Sequence, residues 1–314
     1  MSGFADGLLS HPDLGPDPRR RIGGRTFDFS RQVAVMAIVN RTPDSFYDKG
    51  KTFALGSALE AAEIALDDGA DWLDIGGTPF SPLTSEVSVE EELDRVVPVI
   101  EALRGQTDAV ISVDTFRSDV ARRALAVGAD AVNDTSGLHD PQLAEVVATA
   151  GAALVITHSK SAPRIWLVRP TYDDLISEVR DFLMGRAKLA IRLGVAAEAI
   201  IVDPGHDLNK NTFHSLELTR RFDEFAQLGY PALASVSNKN FIQETLNLPP
   251  DEVIEGTIAA VTACVLRGAR IVRVHNPHSI VPAVRMTEAM LGMRTPTMPS
   301  LDVSPACGGA GLVA

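Results

Sequence analysis

The sequence predicts an α/β chain folded as a single (β/α)₈ barrel of the TIM type, with irregular tails at both ends. Three observations carry that expectation. Short apolar, largely β-branched runs recur eight times, helical patterns of roughly 10 to 20 residues separate them, and small Gly-Ala or Gly-Ala-Asp units sit just before several of the runs. Eight such alternations within one chain of 314 residues match a barrel. A doubly wound open sheet is the competitor, but no Gly-x-Gly-x-x-Gly follows the first run, as a dinucleotide fold would want.

Residues 1–23 carry Gly, Pro and charge without period and are expected to form a flexible arm. Gly24–Gln32 alternates enough for a short strand or hairpin. The eight runs then fall at Val33–Val39, Trp72–Ile75, Ala109–Val113, Ala131–Val132, Ala153–Ile156, Ala199–Val202, Ala232–Val236 and Arg270–Val274. The helical patterns are Leu55–Asp68, Ser88–Leu103, Arg117–Val127, Pro141–Ala150, Tyr172–Leu193, Phe213–Ala226, Asp251–Leu266 and His278–Leu291. Ser88 with Glu91 offers a capping box. The glycines at 69, 128, 151 and 268 suit helix stops, because glycine enters the left-handed region without steric cost. The barrel is expected over 24–292 and a flexible tail of Pro, Gly and small residues over 293–314.

Composition bounds the function. A net charge of −12 argues against a nucleic-acid partner, which would want a basic face. No apolar run reaches the length of a membrane span, and the acidic, Pro-broken N-terminus lacks the pattern of a secretory signal. Cys264 and Cys307 make no disulfide framework, so the cytoplasm is the expected compartment.

In a barrel the C-terminal strand ends form one functional face. Here they offer Asn40; Asp74 and Gly76-Gly77; Ser112 and Asp114; Asn133-Asp134; Thr157-His158-Ser159; Asp203-Pro204-Gly205; Ser237-Asn238-Lys239; and Arg273-Val274-His275-Asn276. A purely structural barrel needs loop polarity and helix caps, but not carboxylates beside arginine, histidine and lysine at one rim. Bland roles remain open: Asp74 as a partner for loop N–H groups, Asp114 and Asp203 as caps, Asn133-Asp134 as a turn, His158 as a satisfied strand-end histidine. Arg273 and His275, two residues apart on a strand, point to one face and suit an anion.

These strand ends resemble the dihydropteroate synthase family. The matching stretches are Ile38-Val39-Asn40-x-Thr42-Pro43-Asp44-Ser45-Phe46, Asp74-Ile75-Gly76-Gly77, Ser112-Val113-Asp114-Thr115, Val132-Asn133-Asp134, Asp203-Pro204-Gly205, Ser237-x-Lys239 and Arg273-Val274-His275. The resemblance implies a (β/α)₈ fold, usually homodimeric, that joins 6-hydroxymethyl-7,8-dihydropterin diphosphate to p-aminobenzoate in folate biosynthesis. It implies that Asn40 coordinates Mg²⁺, that Asp114, Asn133, Asp203 and Lys239 hold the pterin, and that Arg273 and His275 grip the diphosphate. Thr42, Pro43 and Asp44 would form a lid. If the chain were active, Lys239 and Asp114 would be the residues closest to the chemistry.

The chain also departs from the family. The second loop, Glu-Ser-Thr-Arg-Pro-Gly in the family, is Thr78-Pro79-Phe80-Ser81-Pro82-Leu83, so a Thr becomes Phe80 and an Arg becomes Ser81. Losing one charge-assisted contact in a desolvated site costs roughly 1.5–3 kcal/mol. Met-His-Met becomes Thr157-His158-Ser159, and a Gly- and Phe-rich turn becomes His206-Asp207-Leu208-Asn209-Lys210. Ser-Arg-Lys becomes Ser237-Asn238-Lys239, Arg41 replaces a small apolar residue, and Asn276 replaces an Asp. Arg41 is a candidate replacement for the lost second-loop cation. The expectation is a divergent second-copy paralogue with degraded loops and little or no synthase activity, retaining weak binding of a pterin, a phosphate-bearing ligand or an aryl amine or sulfone. The alternatives are a working divergent synthase and a pterin-binding methyl-transfer barrel.

Overall fold

The computed structural model describes residues 9–41, 54–79, 84–165 and 167–297. The lid residues Thr42, Pro43 and Asp44, the second-loop residues Phe80 and Ser81, and Cys307 lie outside the described residues.

The chain opens with an antiparallel hairpin, β1 (Arg19–Ile22) and β2 (Arg25–Asp28). Part of the segment expected as a flexible arm is therefore a strand. Its side chains explain why: Leu14, Ile22, Phe27 and Phe29 are buried together against the barrel interior. Such apolar area is worth burying at about 25 cal/mol per Å².

Eight parallel strands follow with their helices: β3 (Ala34–Asn40), α1 (Leu55–Asp67), β4 (Trp72–Gly76), α2 (Val89–Arg104), β5 (Val110–Asp114), α3 (Ser118–Ala126), β6 (Ala131–Asp134), α4 (Gln142–Ala150), β7 (Ala153–Thr157), α5 (Leu175–Arg192), β8 (Ile200–Asp203), α6 (Thr212–Arg220), α7 (Asp223–Ala226), β9 (Leu233–Ala234), α8 (Asn240–Leu246), α9 (Ile254–Leu266), β10 (Ile271–Val274) and α10 (Pro277–Met290). The strand order is β8-β7-β6-β5-β4-β3-β10-β9. A bridge between Val202 and Ala232, with the Val202 N–H donating to the Pro231 carbonyl at 3.1 Å, brings the outer strands together. The architecture is a nearly closed TIM barrel.

Period two divides each strand between two cores. Val35, Ala37 and Val39, Leu73 and Ile75, Ile111 and Val113, and Leu154 and Ile156 face outward to the helices. Ala34, Met36, Trp72, Val110, Ala131, Ala153, Val155, Ile201, Leu233 and Ile271 fill the lumen, which the hairpin plugs at the strands' N-terminal end. Buried Arg270 ties the plug down by donating from Nε to the Phe29 carbonyl at 2.8 Å.

The Gly-Ala-Asp units work as helix stops and do more. Gly69 and Gly128 have φ of +94° and +116°, the left-handed region that their lack of a Cβ permits. The aspartates that follow then receive a neighbouring strand's backbone, Asp71 from Val35 N–H at 3.0 Å and Asp130 from Ile111 N–H at 2.9 Å. At the start of α2, Ser88 caps by accepting from the Glu91 N–H.

Two differences from the expected elements have local causes. The helix expected over Phe213–Ala226 is broken between α6 and α7, where the chain turns so that Phe222 and Phe225 both enter the core. The seven-residue α8 was not expected, being too short to show a helical period; left-handed Asn247 ends it.

Candidate functional site

Continuing each lumen-facing series one or two steps past the apolar layer gives Asn40, Asp74, Ser112, Asp114, Asn133, Thr157, Asp203, Ser237, Arg273 and His275. Alternation therefore puts the polar strand ends in one bowl above the packed floor. The register confirms their neighbourhood: Asp74 lies beside Ser112, Asp114 beside Asn133, and Thr157 beside Asp203.

Asp74, fully buried, is the hub. One carboxylate oxygen accepts from Asn133 Nδ2 at 2.9 Å and Arg273 Nε at 2.6 Å, and the other from Ser112 Oγ. Trp72 Nε1 in turn donates to Ser112 Oγ at 2.9 Å, tying the hub to the lumen floor. Asp74 thus orients side chains rather than the loop backbone considered for it from the sequence. The signal was its parity with Trp72, visible only once the lumen face is known.

Arg273 is forked. Its second arm donates from Nη2 to Asp114 Oδ2 at 2.7 Å. Burial opposes its charge, but Asp74 and Asp114 outweigh that and hold the guanidinium above its ordinary range. Burial pushes the Asp114 carboxyl up to about 7, against the pull of Arg273 and with help from Asp74. The His275 backbone N–H donates to Ser237 Oγ at 3.1 Å, and its ring Nδ1 lies 3.1 Å from the same oxygen. The Ser237 hydroxyl thus holds both the backbone and the ring of His275 in place.

Asp203 accepts from the Gly205 N–H at 2.7 Å, and burial raises its carboxyl while Lys239 opposes the rise. Lys239 donates to the His206 carbonyl at 2.6 Å. In the Asn133-Asp134 pair the roles divide: Asn133 faces the bowl, whereas Asp134 closes the following turn on the Ser136 and Leu138 N–H groups. His158 is buried with Nδ1 2.8 Å from the Lys210 amine. Burial and Lys210 push its imidazole down to about 2, so it is neutral at physiological pH. Lys210 also donates to the Gly205 and Leu208 carbonyls and is pushed down to about 7 by burial.

Several of the departures from the family pattern, Asp207, Asn209, Asn238 and Asn276, sit in hydrogen-bonded networks. Asp207 and Asn209 have φ of +64° and +52°, and Asp and Asn are the residues after glycine that best tolerate that region. The turn has thus acquired side chains. Asp207 accepts from Ser215 Oγ at 2.9 Å and the Phe241 N–H at 3.4 Å, linking the β8 turn to the first turn of α8. Asn209 donates to Ser159 and Ser161 Oγ at 3.2 and 2.8 Å and accepts from the Leu167 N–H at 3.3 Å, linking it to the β7 loop. Leu208 is buried. Asn238, at φ +54°, exchanges bonds with Thr257 and donates to Asn276 Oδ1 at 3.2 Å. Two departures, Asn238 and Asn276, are therefore one contact.

Among the described residues, Arg41 reaches back to α2. Its Nη1 donates to the Arg95 carbonyl at 2.7 Å and the Asp94 carbonyl at 3.4 Å, on α2. Pro98 lies four residues after Asp94 and has no N–H to give that carbonyl, so Arg41 repairs a gap in the helix ladder.

For a metal, Asn40 offers one amide oxygen, close enough over Gly76 that a Cβ there would come within 2.8 Å of it. No group of three His, Cys, Asp or Glu that could hold a metal occurs among the described residues. Among the described residues that donor set suits Mg²⁺ carried in on phosphate oxygens, as Mg²⁺ commonly is.

Comparison with known proteins agrees with this bowl. The family model described as pterin binding enzyme matches residues 36–275. The chain is 44% identical over 284 residues to the inactive dihydropteroate synthase 2 of Mycobacterium leprae, covering 87% of this chain and 96% of that protein. It is 36% identical over 271 residues to the dihydropteroate synthase of Escherichia coli K12, covering 86% and 96%. Among solved structures, the Yersinia pestis dihydropteroate synthase with a sulfonamide drug superposes with a TM-score of 0.84 at 35% identity, covering 87% of this chain and 99% of that one. The Xanthomonas albilineans enzyme in complex with 7,8-dihydropteroate gives 0.78 at 36%, covering 87% and 99%. By its strand-end residues, its barrel and these relatives, the chain belongs to the dihydropteroate synthase family of pterin-binding enzymes.

Proposed function

We propose that this protein holds a pterin-like heterocycle in the lumen bowl and has little or no dihydropteroate synthase activity. The observation that carries the proposal is the fate of the cations. Where the family has arginine, Asn238 is turned into a buried amide contact with Thr257 and Asn276, and the substituted Arg41 donates from Nη1 to carbonyls of α2. Expelling a diphosphate leaves developing negative charge that needs donors at the rim. The name inactive dihydropteroate synthase 2 borne by mycobacterial relatives supports the same reading.

Recognition would rest on the carboxylates. Asp114 and Asp203 accept from amino and ring N–H groups of the ligand, Asn133 completes the edge, and Lys239 offers a donor. Arg273, braced by Asp74 and Asp114, and His275, braced by Ser237, stand over the phosphate position. Mg²⁺, held by Asn40 and phosphate oxygens, would neutralise charge on a diphosphate-bearing ligand. The protein would act in the cytoplasm as a homodimer, with the apolar surfaces of α9 and α10, where Met286 and Met290 are exposed, as the contact face; a monomer in sizing chromatography at micromolar concentration would refute the dimer.

The test is complementation of a folate-auxotrophic strain lacking its synthase, with titration of the purified protein against pterin. No growth together with measurable pterin binding is expected. Robust growth at ordinary expression would establish the second reading, a working divergent synthase, which the retained Asp114, Asn133, Asp203, Lys239, Arg273 and His275 favour.

A further inference from the structure

Thr157 closes β7, and the strand's alternation fixes where its side chain goes. Leu154 and Ile156 belong to the outer core and Ala153 and Val155 to the lumen, so Thr157 stands on the lumen side, one step above Val155. Its register neighbour on β8 is Asp203, and Val155 below it pairs with Asn133 on β6. The residue is therefore set between two of the side chains that face the proposed heterocycle.

The two branches of its side chain have different surroundings. Cγ2 lies by the β8 turn, where a Cβ built on Gly205 would come within 3.3 Å of it. Oγ1 is buried and has no hydrogen-bond partner among the described residues, and the whole residue is 1% exposed. A buried hydroxyl without a partner carries its full desolvation cost. Valine has the same shape, favours strands at least as well, and would fill this position without that cost. Other polar groups of the bowl, Asp74, Ser112, Asn133, Arg273 and Ser237, are hydrogen-bonded within the protein. The hydroxyl is thus a polar group that the fold does not use, placed inside the site.

We propose that Thr157 is a specificity-determining residue of the lumen site, whose hydroxyl meets an oxo or hydroxyl substituent on the bound heterocycle beyond the edge engaged by Asp114, Asn133 and Asp203. The ligand class is an oxo-substituted pterin rather than one with bare C–H at that place. The inference rests on the pterin reading above and adds the extra polar group.

The experiment is calorimetric titration of the full chain, and of its Thr157→Val and Thr157→Ser variants, with pterin, 6-oxopterin and 7-oxopterin. The wild type is expected to bind one oxopterin about five- to tenfold tighter than pterin, the worth of one net hydrogen bond. Thr157→Ser keeps that preference, and Thr157→Val loses it. Thermal unfolding without ligand is expected to show Thr157→Val at least as stable as the wild type, which separates lost recognition from lost folding. Wild-type binding of pterin without preference, or an undiminished preference in Thr157→Val, would overturn the role of the hydroxyl while leaving the pterin site standing. Binding of none of the three would overturn both.

Discussion

Asp114 is the residue whose charge state governs the bowl. Its carboxyl is pushed from an ordinary 3.8 up to about 7, by burial first and by the neighbouring Asp74, with Arg273 in opposition. A carboxyl raised in the folded state binds a proton more tightly there than in the unfolded chain. Between about pH 4 and 7 the folded protein therefore holds the extra proton, and this group's contribution to stability falls as pH rises through that window. Ligand affinity moves the other way, because the charged form is the acceptor for N–H donors. Pterin binding is expected to strengthen as pH rises through about 7, and Asp114→Asn should flatten that dependence; calorimetry across pH 5.5 to 8.5 checks it. Aspartate at a strand end was visible in the sequence, but its charge state was not, since it depends on Arg273 arriving from a strand 159 residues away.

At the scale of elements, three of the altered residues of the rim form contacts between loops. Asn209 binds the β7 loop to the β8 turn, Asp207 binds that turn to α8, and Asn238 binds the β9 loop to Asn276 after β10. A neutral amide pair stands where the family pattern has arginine and aspartate, so neither change leaves a lone charge. Asn238→Arg and Asn276→Asp are each expected to destabilise the protein, and the double variant to recover part of the loss. Urea unfolding of all four proteins should give a coupling on the order of 1–3 kcal/mol; strict additivity would mean that the two positions act independently. Reading along the chain, these changes looked like separate losses. Their pairing is a matter of which loops meet above the barrel, which no local pattern encodes.

For the molecule as a whole, the barrel is held by two cores, and the hairpin belongs to the inner one. Phe29, fully buried, stacks near Phe27 at 5.7 Å between ring centroids and closes the lumen from below. Phe29→Ala is expected to cost about 3–5 kcal/mol. The loss should appear as one cooperative transition at lower urea, measured by both fluorescence and circular dichroism; an early separate transition would show that the hairpin is not part of the barrel's folding unit. The segment before the hairpin also docks, Ser10 donating to the Leu266 carbonyl and Asp13 to that of Ala226.

The sequence by itself determined the barrel, the order of its eight strands and of most of its helices, and the polar residues at the strand ends. Apolar runs of strand length, 3.6-residue patterns and left-handed glycines are local consequences of backbone geometry, so they are written locally. It also determined the family, because Asn40, Asp114, Asn133, Asp203, Lys239, Arg273 and His275 recur in order. Only the tertiary structure decided that Asp74 is the hub of the bowl and that Arg41 serves a proline gap in α2. It also decided that the rim is knit by its own departures, and that Thr157 has a hydroxyl the fold leaves unused. Each of these depends on residues distant in the sequence meeting in the folded barrel, where parity, register and burial act together.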